Sequence, residues 1–140
     1  MTENNIDKIL EKDGVYVSTT SGVSMYPMLR DRRDTVIIQP PLERLKKYDV
    51  ALFHRGDKYV LHRVIKVMPD SYIIRGDNCI ATEHVKDSDV IGKLVQFYRA
   101  DREKNMNSIG YKLYSRFIVL VHPFVKLKLR FKARIPQRRL

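Results

Sequence analysis

The sequence predicts a mostly β fold, a twisted antiparallel sheet or partly open β-barrel with a short N-terminal helix and a basic C-terminal extension. Two observations predict the sheet: short β-branched and aromatic runs recur through the first hundred residues, and Gly, Pro, Asn and Asp separate them. A third observation, the positive charge that collects after residue 100, marks the extension. At 140 residues the chain can bury a sizeable core. We therefore expect one sheet domain over 1–100 and the extension over 101–140.

The ordered elements begin with a short helix. Ile6, Ile9 and Leu10 recur at helical spacing before Gly14, which predicts a helix over 4–13. Six runs with strand character follow, at 15–20, 34–39, 49–54, 58–68, 71–76 and 90–99. Six short strands at this spacing are typical of a curled antiparallel sheet or a small barrel.

The extension contains two patterns. Over 111–124, five apolar residues share one helical face and Pro123 is expected to end or kink the helix. The five are Leu113, Phe117, Leu120, Val121 and Phe124. Residues 125–135 alternate apolar and basic, which predicts a strand with one apolar and one cationic face. A basic helix is the alternative, because these residues do not have a strong β propensity.

The net charge of +11 is uneven. Residues 1–100 hold 16 Lys and Arg against 14 Asp and Glu, whereas residues 101–140 hold 11 against 2. Such an extension can contact an anionic membrane surface through residues 113–135. Clustered Lys and Arg also contact phosphate, but the leucines and phenylalanines between them fit a lipid or protein surface better. No specific nucleic acid is therefore expected as a partner.

Several classes of protein are disfavoured by composition. The chain has one cysteine, Cys79, so nothing indicates an oxidising compartment. It has no Cys/His cluster at metal-ligand spacing and no glycine-rich phosphate loop, so no metal or organic cofactor is expected. No run reaches the roughly 20 apolar residues of a membrane span, and the N-terminus lacks a signal-peptide core. A cytoplasmic location, peripheral on a membrane through the extension, is the expectation.

Three stretches contain residues for serine chemistry: Ser24 in "SGVSMYPML", His62 in "YVLHRVI", and Asp77 and Glu83 in "RGDNCIATEH". A serine hydroxyl needs a base to take its proton, and a histidine can do so near neutral pH. A carboxylate can orient that imidazole. The residue types permit such a site, but a turn hydroxyl, a strand histidine and loop acids are the alternatives.

Read in order with "YDVALFH" and "VIGKLV", these motifs resemble those of the signal peptidase I family over about residues 14–99. That family shares its fold and serine chemistry with the LexA-type self-cleaving proteins, so the resemblance implies a sheet of the signal peptidase/LexA type. The "HRV" element is similar to the branch that uses histidine as the base. The resemblance implies a serine endopeptidase that forms an acyl-enzyme on a peptide or protein substrate.

By this resemblance Ser24 is the nucleophile and His62 the general base. Asp77 matches the aspartate of the GDN box. Glu83 lies six positions later, where the histidine branch often has a second acid, normally Asp. Asp77 and Glu83 are therefore competing candidates for the acid that orients His62.

The oxyanion site departs from the family pattern at Gly22, where the family often has a Ser whose hydroxyl helps to bind the oxyanion. The backbone N–H of Ser24 or Met25 can donate instead. Met25 and Pro27 are expected to shape the turn and the pocket floor. Two other functions remain open: a weakly active or inactive peptide-binding module, and a membrane-surface or nucleic-acid adaptor that acts through the basic extension.

Overall fold

The computed structural model describes residues 6–134, and it contains one curled, antiparallel half-barrel sheet with short helices. The helices are α1 Ile6–Asp13, α2 Ile109–Leu120 and α3 His122–Arg134. The strands are β1 Tyr16–Thr19, β2 Thr35–Gln39, β3 Val50–Arg55, β4 Lys58–Val67, β5 Ser71–Arg75, β6 Glu83–Lys86, β7 Val90–Arg99 and β8 Arg102–Asn105. The predicted mostly β, antiparallel character is confirmed. The helix expected over 4–13 is present from Ile6, and residues 4 and 5 lie outside the described part.

The strand order is β1-β2-β7-β3-β4-β5-β6, and β8 pairs with β7. Among the described strands, β1 and β6, at the two ends of this path, each pair with a single neighbour. All six predicted runs contain a strand, but β6 and β8 were not predicted. Each has only four residues and is rich in charge, "EHVK" and "REKN". They form because β5 and β7 offer backbone hydrogen-bonding edges, which no local pattern reveals.

The middle strand β3 shows where the core lies. Its first four residues are all buried, because both faces of the sheet are covered. Val50 and Leu52 pack in one hydrophobic cluster with Leu10 of α1. Ala51 and Phe53 point the other way, into a second cluster that includes Ile74 of β5, Val64 of β4 and Val85 of β6. The residues of β4 that pair with β3 alternate in the same way, so their side chains point in turn to the first and to the second cluster.

The strand expected over 125–135 is wrong: residues through 134 form α3, the helical alternative, and residue 135 lies outside the described part. The segment is rich in Lys, Leu and Arg, which favour helix, and no neighbouring strand pairs with it among the described residues. The stop expected at Pro123 is close to the observed break. α2 ends at Leu120, and Pro123 is the second residue of α3, where a missing N–H costs no helical hydrogen bond. Within 6–134, no helix combines the length and apolar character needed to cross a bilayer.

Candidate active site

The register of three neighbouring strands brings His62 and Glu83 together. Val64 of β4 lies opposite Ile74 of β5, and Ile74 lies opposite Glu83, the first residue of β6. His62 and Val64 are two residues apart, so their side chains share one face. The Nδ1 atom of His62 is consequently 3.4 Å from Oε1 of Glu83.

The imidazole of His62 is buried. Its side chain is 7% exposed, and the ring of Phe53 meets it edge-on with centroids 6.1 Å apart. Nδ1 is buried without a well-oriented hydrogen-bond partner among the described residues. Burial lowers the pKa of His62, and the nearby charge of Arg55 lowers it further, while the charge of Glu83 opposes both. The neutral imidazole, the form that can accept a proton, is therefore favoured.

The carboxylate of Glu83 is shared between His62 and Arg55, the last residue of β3. Arg55 Nε donates to Oε2 of Glu83 at 2.9 Å, and Nη2 of Arg55 donates to Oε1. The oxygen nearest the imidazole is thus also bound by a guanidinium. Arg55 therefore fixes the position of Glu83 and reduces the negative charge that His62 experiences.

This arrangement predicts that Arg55→Gln raises the pKa of His62. The substitution removes a cation that disfavours the imidazolium and leaves the charge of Glu83 to the imidazole. The ring would then be protonated at a higher pH than in the wild type, as measured by NMR titration of its carbon-bound protons. Arg44→Gln is the matched control, because Arg44 pairs with Asp87, outside the lining of the cavity described below. An unchanged or lower pKa of His62 in Arg55→Gln would contradict the electrostatic account.

Asp77, the other candidate acid, forms a buried ion pair with Arg63. Both oxygens of Asp77 accept from Arg63, Nε to Oδ1 at 2.7 Å and Nη2 to Oδ2 at 2.9 Å. Tyr114 of α2 also donates to Oδ2 at 3.0 Å, and Tyr111 bonds to Arg63 Nη1 at 2.9 Å. Burial and the charge of Asp77 raise the pKa of Tyr114, so its hydroxyl remains a donor. Asp77 therefore joins the sheet to α2, and Glu83 is the acid beside His62.

The loop after β5 holds the turn that contains Ser24. The backbone N–H of Asn78 donates to the carbonyl of Ser24 at 2.9 Å, and its side-chain amide donates to the carbonyl of Val23 at 3.1 Å. The Asp77 N–H meets the sulfur of Met25 at 3.5 Å. The "GDN" and "SGVSM" motifs, far apart in sequence, are therefore connected directly.

Gly76 shows how closely this loop approaches Ser24 and His62. A Cβ added to Gly76 would lie 2.7 Å from the carbonyl oxygen of Ser24 and 3.0 Å from Nε2 of His62. Ser24 and His62 therefore both lie against Gly76. Glu83 is at Nδ1 of the imidazole, and Nε2 is the ring nitrogen nearer to the turn of Ser24. In the described part of the chain, no hydrogen bond joins the hydroxyl of Ser24 to the imidazole. Gly76 is required here because any side chain would strike the backbone of Ser24.

A cavity of about 820 Å³ collects these groups. Ser24, His62 and Glu83 line it together. Arg55 and Met25 also line it, and Met25 is buried. Pro27 does not belong to the lining and is exposed, so of the two residues expected at the pocket floor only Met25 lines the cavity.

The turn also accounts for Gly22. This residue has φ +88°, a left-handed conformation that strains a residue with a side chain, and its N–H donates to Asp31 at 2.8 Å. Gly22 lines the cavity, yet its N–H is already used. Among the described residues, the N–H groups of Ser24 and Met25 have no hydrogen-bond acceptor.

The chain was also compared with known proteins. No family model and no curated protein matches it. Within residues 6–134, no three His, Cys, Asp or Glu side chains are grouped to hold a metal ion. What the site does must therefore be inferred from the side chains of the cavity.

Sequence reasoning missed three residues of this cavity wall or its support. Arg55 precedes the Gly56–Asp57 hairpin turn, and only the position of β6, which was not predicted, would have placed it beside Glu83. Asn78 belonged to a quoted motif, but its contact with the Ser24 turn has no local signal. Leu129 of α3 lines the cavity because the tail is a helix. His122 of α3, which no sequence motif singled out, is buried and donates through Nε2 to the carbonyl of Cys79 at 2.7 Å.

Proposed function

We propose that the protein is a serine endopeptidase, with a sheet of the signal peptidase/LexA type. Ser24 is the nucleophile, His62 the general base and Glu83 the acid that faces the imidazole. Asp77 keeps the loop and the sheet together and takes no part in proton transfer.

One observation carries the proposal: Ser24, His62 and Glu83 border a single cavity in the order that a serine, a base and an orienting acid require. Glu83 lies at Nδ1 and the turn of Ser24 lies at the side of Nε2. The lowered pKa of His62 keeps the proton acceptor neutral at physiological pH. A turn serine without a catalytic role would not require a buried histidine with an acid on its far nitrogen.

The reaction follows from these positions. Nε2 of His62 takes the proton of Ser24 as Oγ attacks the peptide carbonyl, and the carbonyl oxygen becomes an oxyanion. The N–H groups of Ser24 and Met25 stabilise that charge. His62 then gives its proton to the amine that leaves, and the acyl group stays on Ser24. A water molecule, deprotonated by His62, attacks the acyl carbonyl, and the serine recovers its proton as the acid product leaves.

The cavity also suits an extended peptide. Tyr16 and Ser18 of β1 and Glu83 of β6 line it, and β1 and β6 are the two ends of the strand path. Within residues 6–134 each pairs with one neighbour only, so its other edge has backbone groups for a further strand. An extended substrate would hydrogen-bond to such an edge.

A fluorophosphonate probe tests the nucleophile. The probe is expected to modify Ser24 in the wild type, as located by peptide mass spectrometry, and to leave Ser24→Ala unmodified. Because His62 must be neutral to accept the proton, labelling should fall as the pH drops through its lowered pKa, below the usual 6.5.

Ser21→Ala is the matched control for this experiment. Ser21 lines the same cavity and is exposed, so its removal should leave labelling at the wild-type level. Equal labelling of the wild type and Ser24→Ala would sink the assignment and favour a peptide-binding module without catalysis. A released peptide product, detected when wild type and Ser24→Ala that have not met the probe are incubated with a peptide library, separates cleavage from mere binding.

A further inference from the structure

The two C-terminal helices present a continuous apolar surface to the outside. Six large side chains recur every three or four residues and are between 60% and 78% exposed. They are Leu113, Phe117, Leu120, Phe124, Leu127 and Phe131, which we call the apolar stripe. The spacing of three and four continues across the break between α2 and α3, because the N–H of Val121 still bonds to the carbonyl of Phe117 and that of Val125 to Val121.

The opposite face of the same helices packs on the body of the protein. Ser115, Ile118 and His122 are buried there, and Leu129 reaches the cavity wall. At 100° per residue these four positions lie roughly opposite the stripe. The helices are therefore docked through one face, so the stripe is not a core face that has failed to pack. An apolar face turned outward on a docked helix needs an apolar environment.

The charges beside the stripe are all positive. Residues 108–134 contain seven Lys and Arg and no Asp or Glu. On α3, Lys128 and Lys132 flank the stripe on one side, and Lys126 and Arg130 lie on the other. Among the described residues, none of these four cations is within 4.0 Å of a carboxylate. Long basic side chains on both sides of an apolar band can extend to phosphate groups while the band enters lipid.

We propose that the apolar stripe is a membrane-binding surface, and that its partner is an anionic bilayer. The helices would lie in the plane of the bilayer interface, with the phenylalanines and leucines of the stripe among the acyl chains and the cations at the headgroups. A helical protein partner would also need an apolar seam, but it would need acidic residues on both sides of that seam, a stricter demand than a bilayer of anionic lipids imposes.

The same helices connect this surface to the cavity. Leu129, on the inner face of α3, is part of the cavity wall, and His122 bonds to the carbonyl of Cys79, whose side chain also lines the cavity. Binding through the outer face of α3 therefore places the cavity next to the bilayer. The proposal itself does not depend on catalysis, because binding can be measured with Ser24→Ala.

Vesicle sedimentation with the full chain tests the apolar half of the proposal. The wild type is expected to bind vesicles of mixed phosphatidylglycerol and phosphatidylcholine and to bind phosphatidylcholine alone much more weakly. The triple variant Phe117→Ser, Leu120→Ser, Phe124→Ser should lose at least about tenfold in partition coefficient, because three apolar side chains no longer enter lipid. Leu42→Ser, which alters a fully exposed leucine outside the stripe, should bind as the wild type does.

A charge-matched pair of variants tests the electrostatic half. Replacing Lys128, Arg130 and Lys132 by Gln should lower binding to anionic vesicles on the order of 100-fold.

Replacing three exposed lysines of the sheet domain, Lys46, Lys58 and Lys66, by Gln changes the net charge equally. This control should reduce binding to anionic vesicles much less than the α3 variant does. An equal loss in the two variants would overturn the proposal, because net charge and not the surface would then control binding.

Two further outcomes would overturn the proposal. One is wild-type protein that stays in the supernatant with anionic vesicles at low salt. The other is full binding by the triple variant of the apolar stripe, with loss of binding only when the basic residues of α3 are replaced by Gln. That result would indicate a general site for polyanions. Circular dichroism of each variant, with helix content equal to that of the wild type, keeps the comparison valid.

Discussion

His62→Gln is expected to slow the phosphonylation of Ser24 roughly 100- to 10,000-fold, the range that a positioned general base contributes. The glutamine amide would lie near the position of the imidazole, but it cannot take the serine proton at neutral pH. The rate constant for labelling by a fluorophosphonate, measured over time, gives the size of the effect. The fall of this rate constant at low pH should also disappear, because the imidazole whose protonation causes it is absent.

His54→Gln is the control for that measurement. His54 lies on the adjacent strand β3 and its Nε2 is 3.1 Å from Asp7 of α1, outside the cavity lining. Its replacement should leave the labelling rate close to that of the wild type. A loss of less than tenfold in His62→Gln, with an unchanged fold by circular dichroism, would contradict a base role for His62.

Asp77→Ala is expected to destabilise the protein by about 3–5 kcal/mol, as typical for removing one partner of a buried ion pair. Arg63 has a fully buried side chain, and Asp77 supplies two of its acceptors. Without Asp77 the guanidinium keeps the carbonyl of Tyr48 and the hydroxyl of Tyr111 but has no counter-charge. Urea denaturation, monitored by circular dichroism, measures the loss.

Asp87→Ala gives the comparison with an exposed pair. Asp87 accepts from Arg44 at 2.8 Å, but both side chains are about 40% exposed, so its removal should cost no more than about 1 kcal/mol. A cost for Asp77→Ala as small as that of Asp87→Ala would contradict the structural role of the buried pair.

The sequence allowed the sheet to be predicted wherever a strand has its own β-branched pattern. β3 and β4 are such strands, and both were expected. β6 and β8 could not be predicted in this way, because four-residue charged segments become strands only when a neighbouring edge accepts them. For residues 125–134 the alternating pattern favoured a strand, but the preference of Lys, Leu and Arg for helix and the absence of a pairing edge among the described strands decide for α3.

In the candidate site, too, residues that belong to a local motif could be predicted, and residues placed by strand pairing could not. Ser24 and His62 were singled out from motifs, and the structure brings their turn and ring to one cavity. The choice between Asp77 and Glu83 was beyond the sequence, because it depends on the register of β5 with β6 and on the position of Arg63. Arg55 was missed for the same reason. Strand register, and not residue type, determines which acid meets the imidazole.

The tyrosines of α2 have a consequence for the order in which the protein matures on the ribosome. Arg63 and Asp77 are synthesised well before Tyr111 and Tyr114, whose hydroxyls bond to them. Until α2 is synthesised and docks, Arg63 and Asp77 lack these two hydrogen bonds. Docking of α2 then adds the bond from Tyr114 to Asp77, in the same loop whose Asn78 holds the turn of Ser24. The cavity therefore depends on segments far apart in the chain, and its wall is complete only when α3 supplies Leu129.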